Sequence, residues 1–180
     1  MKSPRLSLIF TCLLLTISFC ISAQIYNLSG TLSGANEVPP NPSMGTGSIT
    51  GTYDQGTGMI SIDVTYSGLT GLGTVSHIHG PAPAGVNAGV IIPLNLVPGS
   101  NSGSYLTTVA FPVMQEAALL AGNTYVNLHS DAYPGGELRS QISATLAPPI
   151  PTLQGWALII LAMAMIIIGA VVVRTRVIVA

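Results

Sequence analysis

Strict alternation over residues 59–66 limits this chain's options more than any other feature. Ile60, Ile62, Val64 and Tyr66 fall on one side and Ser61, Asp63 and Thr65 on the other, the period of two of a half-buried β-strand. The pattern recurs. Residues 45–53 precede that run, and Asp54-Gln55-Gly56-Thr57-Gly58 supplies a hairpin turn. Tyr105, Thr107, Val109 and Phe111 alternate with Leu106, Thr108 and Ala110 after a turn at Asn101-Ser102-Gly103. Val126 and Leu128 alternate with Tyr125, Asn127 and His129, and Leu138, Ile142 and Leu146 share one parity after Pro134-Gly135-Gly136. Residues 75–79 and 90–94 are shorter candidates, joined by a loop over 80–89. One helical stretch is expected, over residues 113–121, with Pro112 at its start and Gly122 at its exit. Many short strands between regularly spaced turns predict an all-β fold, an antiparallel sandwich or barrel.

Composition supports this and removes other classes. Charged residues make up 6% of the 180, against about 25% in an ordinary soluble domain. A disordered chain, a coiled coil and a nucleic-acid binder with a basic face are therefore excluded. The 20 glycines and 13 prolines follow no three-residue period, which excludes collagen. All six acids, Glu37, Asp54, Asp63, Glu116, Asp131 and Glu137, lie within residues 24–150 beside a single base, Arg139, leaving that stretch at −5. Lys2, Arg5, Arg174 and Arg176 flank two apolar ends.

Those ends read as addresses. Two positive charges, an apolar run over residues 6–17 and the small-residue exit Ile21-Ser22-Ala23 predict a secretory signal peptide over residues 1–23. Both cysteines, Cys12 and Cys20, leave with it, so the mature protein forms no disulfide. At the other end, residues 156–173 carry no charge. As a helix they span roughly 27 Å, close to a hydrocarbon core. Trp156 suits one interface, and Arg174 and Arg176 hold the other end in the cytoplasm. The expected organisation is a leader (1–23), a β domain (24–147), a proline-rich linker (148–155), a transmembrane helix (156–173) and a cytoplasmic tail (174–180).

Two resemblances sharpen this. Ile150-Pro151-Thr152-Leu153, then Trp156, an apolar helix and the arginines resemble the IPTL-type C-terminal sorting signal of Gram-negative bacteria. This implies an exosortase-type processing enzyme as partner and clipping near residues 151–153. Ala157 stands where glycine is commoner, and the chain continues past the basic pair to Ala180. Five ordered motifs cover the middle: Leu32-Ser33-Gly34-Ala35-Asn36-Glu37-Val38-Pro39-Pro40; Gly45-Thr46-Gly47; Ser76-His77-Ile78-His79-Gly80-Pro81-Ala82; Tyr125-Val126-Asn127-Leu128-His129-Ser130; and Pro134-Gly135-Gly136-Glu137-Leu138-Arg139-Ser140-Gln141-Ile142. Together they resemble the CHRD (chordin-type) domain over about residues 25–146. The resemblance implies an immunoglobulin-like or Greek-key β-sandwich or barrel, and no settled enzymatic activity.

His77 and His79 are two apart, so on a strand their rings share a face. His129 ends another strand. These three are the chain's only histidines. Three imidazoles suit copper or zinc; alternatively they are hydrogen-bonding residues that tie the 80–89 loop to the 130–136 turn. Asp131 orients a histidine or caps its own turn. Arg139 pairs with Glu137 or Glu37. Three functions follow: a non-enzymatic envelope or matrix protein with a protein or glycan ligand; a metal-binding periplasmic or surface module using His77, His79 and His129; and a metal-dependent oxidoreductase. The protein is expected at the inner membrane with a periplasmic domain, or at the cell surface or outside the cell after sorting.

Overall fold

The computed structural model describes residues 24–148 and 155–178. The predicted leader, with both cysteines, and Ile150, Pro151, Thr152 and Leu153 of the sorting motif lie outside them.

Nine strands follow in chain order: β1 (Ile25–Ser33), β2 (Thr46–Asp54), β3 (Met59–Ser67), β4 (Gly73–His79), β5 (Val90–Leu94), β6 (Gly103–Ala110), β7 (Tyr125–Ser130), β8 (Leu138–Gln141) and β9 (Ser143–Leu146). They form one antiparallel sheet in the order β5-β4-β7-β8-β1-β2-β3-β6, with β9 also pairing β1. The sheet curls into a nearly closed barrel. Its two edges are stitched where Asn95, just past β5, donates its backbone N–H to Thr107 Oγ1 at 2.8 Å and its side-chain amide to Leu106 O at 3.2 Å on β6. The all-β class expected from the alternation is thus the one observed.

The β3 pattern behaves as written: Ile60, Ile62, Val64 and Tyr66 are buried while Asp63 and Thr65 face out. Its hairpin turn is fastened by Asp54, whose Oδ1 accepts the N–H groups of Gly56 and Thr57. Leu28, Leu32, Ile49, Ile78, Val126, Leu128, Leu138 and Ile142 complete one apolar cluster. The expected helix begins with a 3-10 turn, Val113–Gln115, and continues as α1 (Glu116–Leu120), ending at Gly122 with φ 73°.

Two expectations are corrected. Residues 138–146 do not form one strand with Leu146 in the core. The chain bends at Ile142, whose N–H turns to Thr124 O, so β8 pairs β7 while β9 pairs β1 and leaves Leu146 57% exposed. In addition, β1, which the alternation did not mark, sits mid-sheet. Gly30 interrupts its apolar parity because a Cβ there would strike Ser140 Oγ and lie 2.8 Å from Gln141 O.

The chain divides into two compact units at Ala147/Pro148. The second contains α2 (Gly155–Ile178), a 24-residue helix. Among the described residues no helix is long and apolar enough to cross a membrane. The stretch of α2 whose side chains are described runs over residues 159–171 and is exposed throughout. Arg174 is exposed. The membrane span expected over 156–173 is thus not supported among the described residues.

Candidate metal centre

The inner face of the barrel is mostly apolar, and the metal-ligating side chains gather on the outer face of β4 and β7. Alternation sends Ile78 inward to full burial and leaves His77 and His79 half-buried on the outer side. In the β4–β7 register His79 faces Tyr125, His77 faces Asn127 and Val75 faces His129, so His129 lies diagonally across from His77. On its other side β4 shifts register against β5 between Ile78 and His79, an irregularity of the kind that re-aims a side chain. The three rings converge. Their centroids are 5.6 Å apart for His77–His79, 5.4 Å for His77–His129 and 6.2 Å for His79–His129. One ring nitrogen from each lies within 4.8 Å of the other two.

The ring orientations are held from behind. His79 Nδ1 lies 3.0 Å from Ala88 O, and His129 Nδ1 lies 2.9 Å from Pro134 O. A carbonyl can only accept, so both Nδ1 atoms carry a proton, and in a neutral ring Nε2 then keeps the lone pair. Those Nε2 atoms, and His77 Nδ1, are buried without a hydrogen-bond partner. Each such atom costs about 1–3 kcal/mol, so three side by side call for an occupant. Burial, reinforced by the neighbouring imidazoles, holds the His77 ring below its ordinary pKa, and burial does the same for His79 despite the bond to Ala88 O. Both rings therefore favour the neutral form that a metal ion needs. The three histidines read from the sequence are thus brought together. Of the three, His79 bonds to the 80–89 segment and His129 to the 130–136 turn, as the alternative reading held for all of them, each through its Nδ1.

Other polar residues have different tasks from those expected. Asp131 orients no histidine: its Oδ1 accepts the N–H of Leu72 at 2.8 Å and clamps two loops. Glu137 is fully buried; its oxygens accept from Ser43 Oγ, the Thr70 N–H and Ser130 Oγ. Burial would raise its carboxyl, but those bonds outweigh it and hold it below the ordinary range. Among the described residues Arg139 donates to neither carboxylate. Its guanidinium donates instead to Asn87 Oδ1, Val86 O and Gln141 Oε1, and lies 3.5 Å over the Tyr125 ring.

Sequence reasoning missed two participants. Tyr125 stacks on His79, with ring centroids 5.0 Å apart and planes 10° from parallel; only its neighbour position in the register could have indicated this. Glu37 is buried beside Asn127, and burial pushes its carboxyl up to about 7 against the opposing charge of Arg139. Glu37, Val38, Arg139 and Gln141 also line a cavity of about 560 Å³, which none of the histidines borders.

Comparison with known proteins gives two matches. Residues 28–142 match the CHRD domain model, and residues 148–176 match the IPTL-CTERM motif. No curated protein matches, and no solved structure does.

Proposed function

The chain belongs to the CHRD domain family, and on that premise we propose that it is an exported cell-envelope protein whose β domain holds one copper or zinc ion. The family and the IPTL-CTERM motif suggest an extracellular or cell-surface protein. Within that setting His77 Nδ1, His79 Nε2 and His129 Nε2 would be the ligands. One observation carries this reading: a ring nitrogen of each histidine lies within 4.8 Å of the others, and each ring keeps one buried nitrogen without a partner. Nitrogens sharing an ion at about 2.1 Å stand at most about 4.2 Å apart. In a trigonal or tetrahedral arrangement the separation is about 3.4–3.6 Å, so the widest pair needs to close by about 1.2–1.4 Å, which rotation of the half-buried rings would have to supply. A bound ion would satisfy all three nitrogens at once. The reading is of a binding module without turnover of its own.

Metal analysis of the full chain purified in detergent tests it. One copper or zinc per chain is expected, falling to background in a His77→Ala, His79→Ala variant; equal content in both proteins ends the reading.

The proposed arrangement keeps the leader at residues 1–23, the β domain at 24–147, the linker at 148–155, a membrane span at 156–173 and a cytoplasmic tail at 174–180. An exosortase-type enzyme would clip near residues 151–153. Mass spectrometry of the exported protein decides this, because an intact Ala180 contradicts clipping. The cavity beside Glu37 and Arg139 favours a second role on the same domain, binding a protein or glycan ligand. Glycan-array binding that Asn36→Trp abolishes, with the metal retained, would support that role.

A further inference from the structure

The geometry points to Arg139 as a positioning residue that, through a stack with Tyr125 and His79, makes the histidine triad favour monovalent copper over divalent ions. This rests on the triad holding a metal, and it names the ion and its charge state.

Three observations carry it. First, the stack is continuous. β4 and β8 flank β7, so His79 and Arg139 reach the Tyr125 ring from opposite sides, the imidazole at 5.0 Å between centroids and the guanidinium carbon at 3.5 Å. Second, the stack is fixed by three consecutive loop residues. Val86 O and Asn87 Oδ1 accept from Arg139, while the Ala88 N–H donates to Tyr125 Oη and Ala88 O accepts from His79 Nδ1. Third, the charge of Arg139 meets little compensation. Its hydrogen-bond acceptors are neutral, and the carboxylate whose charge acts on it, Glu37, is only about half ionised at neutral pH.

The consequence is electrostatic. Three neutral imidazoles contribute no negative charge to an ion, and the metal-ligating group contains only histidines. A fixed positive charge nearby therefore penalises a dication more than a monocation. At about 10 Å and an effective dielectric of about 20, one unit of charge shifts an equilibrium by roughly tenfold. Zinc and cupric ions bear that penalty twice, cuprous ion once. Three nitrogen donors also complete a trigonal cuprous site, whereas zinc requires a fourth ligand.

The test is the ratio of cuprous to cupric affinity, measured on the full chain in detergent by competition with chromogenic chelators of each ion. Arg139→Met is expected to lower the ratio roughly tenfold, and Arg139→Lys, which keeps the charge, to preserve it. An unchanged ratio in Arg139→Met, or an equal fall in both variants, overturns the inference, since a purely structural Arg139 would weaken both ions alike. If the Arg139 variants lose their β-sheet circular dichroism, Glu37→Gln serves instead. At about pH 8, above the raised Glu37 titration, removing the opposing carboxylate raises the ratio, and an unchanged ratio there overturns the inference. Failure of the underlying site looks different: wild-type protein then takes up neither copper ion at one per chain, and no ratio exists to compare.

Discussion

The inner face of the β4–β7–β8 sheet is buried and its outer face is partly covered, and the two are built on opposite terms. Inward, Ile78, Val126, Leu128 and Leu138 pack with no polar atom to satisfy. Outward, Tyr125, Asn127 and Arg139 are covered by loop segments, with partnerless atoms on Glu37, Asn127 and the three histidines. The inner face gains stability from apolar area removed from water. The outer face gives some of it up by burying polar atoms without partners. Where a fold tolerates that cost, a binding role is the economical explanation.

Substitutions can break or sharpen this contrast. The largest effect is expected inside. Ile62→Ala on β3 should destabilise by about 2–5 kcal/mol in chemical unfolding of the full chain, while the folded fraction keeps its metal. Lost metal binding with a small stability change would mean the faces are not separable.

The next effect belongs to Glu37. Its carboxyl titrates near 7 when folded, against 4.5 in its ordinary setting. Folding therefore favours its neutral form. That contribution is complete below about pH 4.5 and is lost as pH rises through about 7, amounting to about 3 kcal/mol. Glu37→Gln should become more stable relative to wild type by this amount between pH 5 and pH 8. A difference that does not change with pH would show that Glu37 is not held neutral.

A smaller effect probes the polar thread through the barrel. Tyr105 Oη donates to Ser76 Oγ at 2.7 Å, and Ser76 Oγ donates to Asn127 O at 3.0 Å. Tyr105→Phe should cost about 1 kcal/mol in the same unfolding measurement and leave metal content unchanged. The smallest effect on stability is expected at the site itself. His129→Gln removes a partnerless nitrogen together with the bond to Pro134 O. The gain and the loss, each about 1 kcal/mol, largely offset, so the metal-free protein should move by less than about 1 kcal/mol. The substitution should weaken metal binding by about a hundredfold or more, read by isothermal titration.

These contrasts also explain what the sequence could and could not disclose. The inner face was legible because a period of two is a local property: Ile60, Ile62 and Val64 announce their burial within one strand. The convergence of His77 and His79 was legible for the same reason. β7 was only half legible. It alternates in sequence, yet Tyr125 and Asn127 on its outer parity are as buried as Val126, because distant loop residues cover them: Asn87 reaches Val38 O and Arg139, and Ala88 reaches Tyr125. Glu37 is buried by the same distant contacts, which leave no periodic mark. Leu146 misled because parity carries no information about the bend at Ile142.

X-ray absorption at the copper edge of the loaded full chain tests the central claim most directly. The account predicts three nitrogen scatterers at about 2.0 Å with the multiple-scattering signature of imidazole, lost in the His77→Ala, His79→Ala variant. A spectrum without imidazole scattering, or one unchanged by that double substitution, would contradict it.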